Sequence, residues 1–218
     1  MKPSRLSQKL HKWLGLLVGI QLVIWSISGF YMVVVDIEII HGDHLVQSPA
    51  ALKPNDLAKF TNQLTALANE NPDATAITLS PLNGSGVVNI KTANSTRLVT
   101  LENTKALGNM DEASIQGLAH TYYAGTGEIV SLTLIENNPP SEIGARPLPL
   151  WRVDFDDAWG STLYISPVTG ALATRRHTLW RVFDFLWMLH IMDYDEREDI
   201  NNAMLRSVSI LAFLLVLS

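Results

Sequence analysis

A chain of 218 residues in which 47% are hydrophobic and only 17% charged has room for one large soluble core, or for a membrane segment carrying a smaller domain. Its formal net charge of −5 at pH 7, from 21 acidic and 16 basic residues, argues against nucleic acid as a partner. The lack of cysteine rules out disulfides and a thiol nucleophile, and fits an oxidising compartment without requiring one.

Residues 1–12 form a basic N-terminus with Lys2, Arg5, Lys9 and Lys12 and no acidic residue. Residues 13–35, WLGLLVGIQLVIWSISGFYMVVV, carry no charge and at about 1.5 Å per residue are long enough to cross a hydrocarbon layer of roughly 30 Å. A signal peptide has a shorter apolar core, about 7–15 residues, and a small-residue cleavage site. This run instead closes on Tyr31, Met32 and three valines, so an uncleaved transmembrane helix is expected. Basic residues before it and Asp36, Glu38 and Asp43 after it place the N-terminus in the cytoplasm and the main domain outside, which in a bacterium means the inner membrane and the periplasm. Membrane lipid is then one partner. Gly15 and Gly19, four apart, with Gln21 and Ser26 nearby, suit close packing against a second span or another transmembrane subunit, although glycine is common enough in such helices for chance to explain the pair.

Where the chain leaves this run it reads IIHGDH, with His41, Asp43 and His44. A polar stop and a ligand-bearing turn both fit those residues. Beyond it the chain reads as two similar units, residues 36–110 and 111–176. The first has a helix in KPNDLAKFTNQLTALANENP, with Pro54 near its start and Leu57, Phe60, Leu64 and Leu67 at helical spacing, then strands in ATAITLSP, VVNIKT and TRLVTLE separated by turns such as Asn83 to Gly86. The second has a helix in MDEASIQGLAHTYYAG, capped by Asp111 and ending near Gly125, then strands in EIVSLTLIE, PLWRVDFDD and STLYISP. Thr96 to Leu107 aligns with Ser161 to Leu172, matching Leu98 with Leu163, Thr104 with Thr169, Ala106 with Ala171 and Leu107 with Leu172. The expected fold is a membrane-anchored α+β protein, each repeat packing one helix on a short antiparallel sheet. The proline-rich NNPPSEIGARPLP should be an exposed loop outside the core.

Residues 177–200 read as an interfacial helix, WRVFDFLWMLHIM, followed by an acidic turn. Asp193, Asp195, Glu196, Glu198 and Asp199 lack the ligand spacing of a calcium loop and suit a solvated helix start. Residues 201–218 end in SVSILAFLLVLS, too short to span a bilayer, and are expected to begin a second transmembrane helix that is cut short; a tail dipping into the interface is the alternative.

Taken together, KLHKWLGLLVGIQLVIWSISG, the repeats ending in YISPVTGAL, and RRHTLWRVFDFLWMLH before a second apolar run resemble the PepSY-associated transmembrane proteins across nearly the whole chain. That family includes inner-membrane reductases that release iron from siderophores, so the resemblance implies periplasmic PepSY modules between transmembrane helices and, in reductase-like members, haem b. This chain departs from the larger members in offering one full span and part of another. It has no G-x-G-x-x-G and no P-loop, so an electron donor would have to come from a partner, and no H-E-x-x-H or G-x-S-x-G gives it hydrolytic machinery of its own.

A haem needs ligands, and histidines are the candidates. His120 lies mid-helix and reads as a surface or half-buried side chain. His11 precedes the span, about 45 Å along a continuous helix from His41, so these two cannot share one iron. His41, His44 and His190 are expected to meet at the outer membrane edge, with Asp43 orienting a ring. The function expected first is therefore an accessory or component of haem-linked membrane electron transfer, such as ferric-siderophore reduction. A periplasmic peptide-binding or protease-regulating module, and an assembly factor without redox activity, are the alternatives.

Overall fold

A computed structural model describes residues 5–49, 51, 60–82 and 85–217. Lys2, Pro54, Leu57, Asn83 and Gly84, which entered the sequence reading, lie outside the described residues. In chain order the elements are α1 (Arg5–Val34), α2 (Ile37–His41), α3 (Thr61–Glu70), β1 (Ala76–Leu82), β2 (Ser85–Lys91), β3 (Thr96–Thr100), β4 (Ala106–Leu107), α4 (Glu112–Tyr122), β5 (Ile129–Ile135), β6 (Leu150–Phe155), β7 (Thr162–Ile165), β8 (Leu172–Arg176), α5 (Thr178–Ile191) and α6 (Ala203–Leu217). The protein is α+β, with an N-terminal apolar helix and two antiparallel sheets. It divides into a helical unit, Met1–His41 with Thr178–Ser218, and an α+β unit, Gly42–His177.

In the helical unit, His11–Val34 of α1 is long and apolar enough to cross a membrane. Only a narrow stripe of it is covered by the chain: Val18, Gln21 and Ser28 are buried, while Trp13, Leu16, Ile20, Val23, Ile27 and Phe30 are exposed. Exposed apolar side chains around most of a helix are unfavourable in water and suited to a hydrocarbon surround.

The buried stripe is where α5 packs. Tyr31 Oη donates to the Leu179 carbonyl (2.9 Å), Trp25 Nε1 to the His190 carbonyl (2.7 Å), and Gln21 Nε2 to the Leu189 carbonyl (3.4 Å). Contacts that descend α1 as they ascend α5 make the two helices antiparallel. The segment read as an interfacial helix runs alongside α1, where tryptophan, tyrosine and glutamine of α1 reach its backbone carbonyls. Asn202 joins α5 to α6. Its Nδ2 donates to the Ile191 carbonyl (2.8 Å), and its Oδ1 accepts from Leu205 N (2.8 Å), which caps α6. Ala203–Val216 is a second apolar helix, shorter than α1.

The α+β unit contains two sheets of order β1-β2-β3-β4 and β5-β6-β7-β8, all pairs antiparallel. Leu67 of α3 packs on Val88, Ile90, Val99 and Leu101, with Phe60, Leu64, Ile77 and Leu79 half-buried around them. On α4, Ile115, Leu118, Ala119 and Tyr122 repeat at the spacing of one helix face and meet Val153, Phe155, Leu163 and Ile165. Asp111 caps this helix, its Oδ1 accepting from Ser114 N at 3.0 Å. Leu98 and Leu163, aligned by sequence, are both fully buried in the third strand of their sheets.

Two features differ from the sequence reading. Each sheet has a fourth strand, β4 or β8, formed by the residues just past the expected third one. The proline-rich connection also contributes core: Ile143 is fully buried against Leu150 and Tyr164. Tyr164 Oη donates to Glu142 Oε1 (2.5 Å), and Arg146 Nε donates to the Ala173 carbonyl (3.1 Å). The cause is the second face of the sheet. α4 covers one side only, and Leu150 and Tyr164 point to the other, so the connection folds back as a strap over them.

Candidate functional site

His190 sits near the end of α5, half-buried against α1. Its Nδ1 lies 2.7 Å from Ser28 Oγ. The serine hydroxyl also lies 2.8 Å from the Ile24 carbonyl of its own helix and 3.2 Å from that of Trp25. With its hydrogen on the helix carbonyl, its oxygen accepts from a proton on His190 Nδ1; with its hydrogen turned to the imidazole, Nδ1 accepts. In the first arrangement the neutral ring keeps its lone pair on Nε2, which has no hydrogen-bond partner among the described residues. Histidines that bind metals share this arrangement, one ring nitrogen donating to an oxygen and the other free to ligate. Trp187 stacks parallel to the imidazole (centroids 6.5 Å, planes 10° apart) and Trp25 lies tilted at 6.4 Å. A Cβ on Gly29 would approach His190 Cε1 to 4.0 Å, so a small residue stands beside the ring.

Ser28 lies six residues before Val34, about 9 Å along the axis, so His190 packs beside the body of α1 and not past its end. His41 ends α2 and is exposed. His44 belongs to the α+β unit, in the turn Asp43–Leu45, where its exposed side chain meets Trp159 (5.3 Å) and the fully buried His177 (5.9 Å) edge to face. Asp43, expected to orient a ring, pairs with Arg175. Gly42 adopts φ 73°, and a Cβ there would lie 3.1 Å from His177 Cδ2, so the turn is built around close packing on an imidazole. His11 is exposed near the start of α1, and His120 is exposed on α4.

Of the residues expected to pack helices, Gln21 is buried and bonded to α5. Gly15 and Gly19 have no described atom within 4 Å of where a Cβ would sit, so no close helix contact among the described residues uses them. Ser26 Oγ is turned to its own Leu22 carbonyl. Ser28, Trp25, Trp159, His177 and Arg175 were not singled out by sequence. Gln21, Trp25 and Ser28, spaced four and three apart, carried the one usable signal: three hydrogen-bonding side chains on one face of an otherwise apolar helix.

The strongest electrostatic feature of the α+β unit is structural. Asp157 accepts from Tyr123 Oη (2.7 Å), Ser161 Oγ (2.5 Å) and Ser161 N (2.8 Å). Burial alone would raise its pKa, but these bonds outweigh it and hold the carboxyl below the usual range. Burial, with Asp157 beside it, pushes Tyr123 up to about 12. Among the described residues no group of three histidine, aspartate or glutamate side chains is placed to hold a metal ion. Compared with known proteins, the chain matches no family profile, no curated protein and no solved structure.

Proposed function

We propose that the protein is an inner-membrane component of haem-linked electron transfer, with α1 as a membrane anchor, its N-terminus in the cytoplasm and the α+β unit in the periplasm. The resemblance to PepSY-associated transmembrane proteins supports this reading, and ferric-siderophore reduction is the reaction class that it implies. The observation that carries the proposal is the setting of the His190 ring, with Nδ1 against Ser28 Oγ and with Trp25, Trp187 and Gly29 beside the imidazole.

These residues fit one protein ligand of a haem b. His190 would bind the iron, Ser28 would orient the imidazole and raise its basicity, and the two tryptophans would supply apolar surroundings. When bound, haem supplies a one-electron iron couple. A donor and an acceptor would come from partner proteins, as this chain carries no flavin or nicotinamide motif.

Haem titration of the detergent-purified full chain tests the reading. Wild type should take up haem with a saturating Soret change, and His120→Ala should match it. Ser28→Ala should weaken uptake roughly tenfold, the usual effect of losing the group that orients a ligand. A folded wild type that titrates no haem would refute the proposal.

A further inference from the structure

Among the described residues, the sheet edges of the α+β unit are protected unequally. β1 contains Pro81, whose nitrogen has no hydrogen to donate. β4 is two residues long. β8 carries Arg175 and Arg176 and is bonded from the strap by Arg146 Nε to the Ala173 carbonyl. β5 has none of these three devices, and only a bulge at its start blunts the edge. Its seven residues, IVSLTLI, include no charge and no proline, and it pairs on one side only, with β6. A bulge confines irregularity to Ile129–Ser131, and from Ser131 to Ile135 the strand runs regularly against Asp154 to Leu150. Val130 is 61% and Leu134 39% exposed, so apolar side chains border the unpaired backbone groups. An edge of this kind is a template for strand addition.

Charge indicates which strand. Glu128 and Glu136 stand exposed just before and just after β5. Antiparallel pairing of two copies would set Glu128 of each against Glu136 of the other, and parallel pairing would set each glutamate against itself. Like charges directly opposite destabilise a strand pair, so the ends oppose self-association. The same carboxylates favour a strand that ends in lysine or arginine. We infer that the free edge of β5 docks an extended segment of another protein, apolar at alternate positions and basic at both ends. The inference is independent of haem.

Hydrogen exchange on the full chain in detergent tests it with two synthetic nine-residue peptides, Lys-Thr-Val-Thr-Val-Thr-Val-Thr-Lys, whose end residues are spaced as Glu128 and Glu136 are, and the same core flanked by glutamate. The lysine-flanked peptide should slow exchange within Ser131 to Ile135 and bind about three- to tenfold more tightly than the other, as expected for two exposed ion pairs. Glu128→Lys with Glu136→Lys should reverse that preference while exchange in α4 stays unchanged. Leu134→Lys, a single exposed change, should weaken both peptides. Equal binding of the two peptides to wild type, no protection of β5, or protection of β5 by raising the protein concentration alone would each overturn the inference.

Discussion

Ser28 and His190 are 162 residues apart in sequence, and each is unremarkable alone: a serine in an apolar helix and a histidine at a helix end. Their contact orients the imidazole and couples its tautomer to the serine's one hydrogen: Nδ1 is protonated when the intrahelical carbonyl takes that hydrogen and accepts when it does not. Tyr123 and Asp157 form a second such pair, with a pH consequence. The Asp157 carboxyl is held below its ordinary range, so its contribution to stability is present above the unfolded carboxylate value and is lost as pH falls through the folded one. Tyr123 is raised to about 12, so its contribution is present below roughly pH 10 and is lost as pH rises through the folded value. Thermal unfolding of Asp157→Asn should accordingly lose part of the acid dependence, and Tyr123→Phe part of the alkaline dependence. Curves parallel to wild type in both variants would show that this corner does not couple stability to pH.

At the scale of elements, the helix faces were legible in the sequence because their apolar spacing is regular: Ile115, Leu118, Ala119 and Tyr122 on α4, and Leu64 and Leu67 on α3. Leu118→Asp should destabilise the second helix-on-sheet layer by more than about 3 kcal/mol, since it leaves an unpaired carboxylate in a closed core. Leu64→Asp should cost less, because Leu64 is only half-buried and its carboxylate can reach water. Equal losses in chemical denaturation would show that the two faces are equally closed. The strap was not legible. Ile143 is a lone apolar residue among prolines, glycine and charges, and only the finished sheet shows that Leu150 and Tyr164 need it. Ile143→Ala should cost about 2 to 5 kcal/mol, the range for truncating a buried aliphatic side chain. A loss below about 0.5 kcal/mol, typical of surface changes, would return this segment to the exposed loop that its composition suggests. The fourth strands escaped notice for a similar reason: Ala106–Leu107 is too short to show alternation.

For the whole molecule, the helical and α+β units divide between His41 and Gly42, after the first apolar helix, and between His177 and Thr178, where the next apolar helix begins. The direction of α5 was hidden, because its aromatic residues suit an interface as well as a helix pair. Non-local hydrogen bonds from Tyr31, Trp25 and Gln21 decide the matter. With the proposed topology, a reporter active only outside the cytoplasm and inserted after Gly125 should be active, while a cytoplasm-only reporter there should be silent. The reverse pattern would invert the anchor. The central claim, that His190 is the chain's haem ligand, is tested most directly by the reduced-minus-oxidised absorption spectrum of the full chain purified with haem supplied, recorded beside His190→Ala. The account predicts Soret and α-band changes in wild type and their loss in the variant, with helical content retained. Bands of equal height in His190→Ala would contradict it.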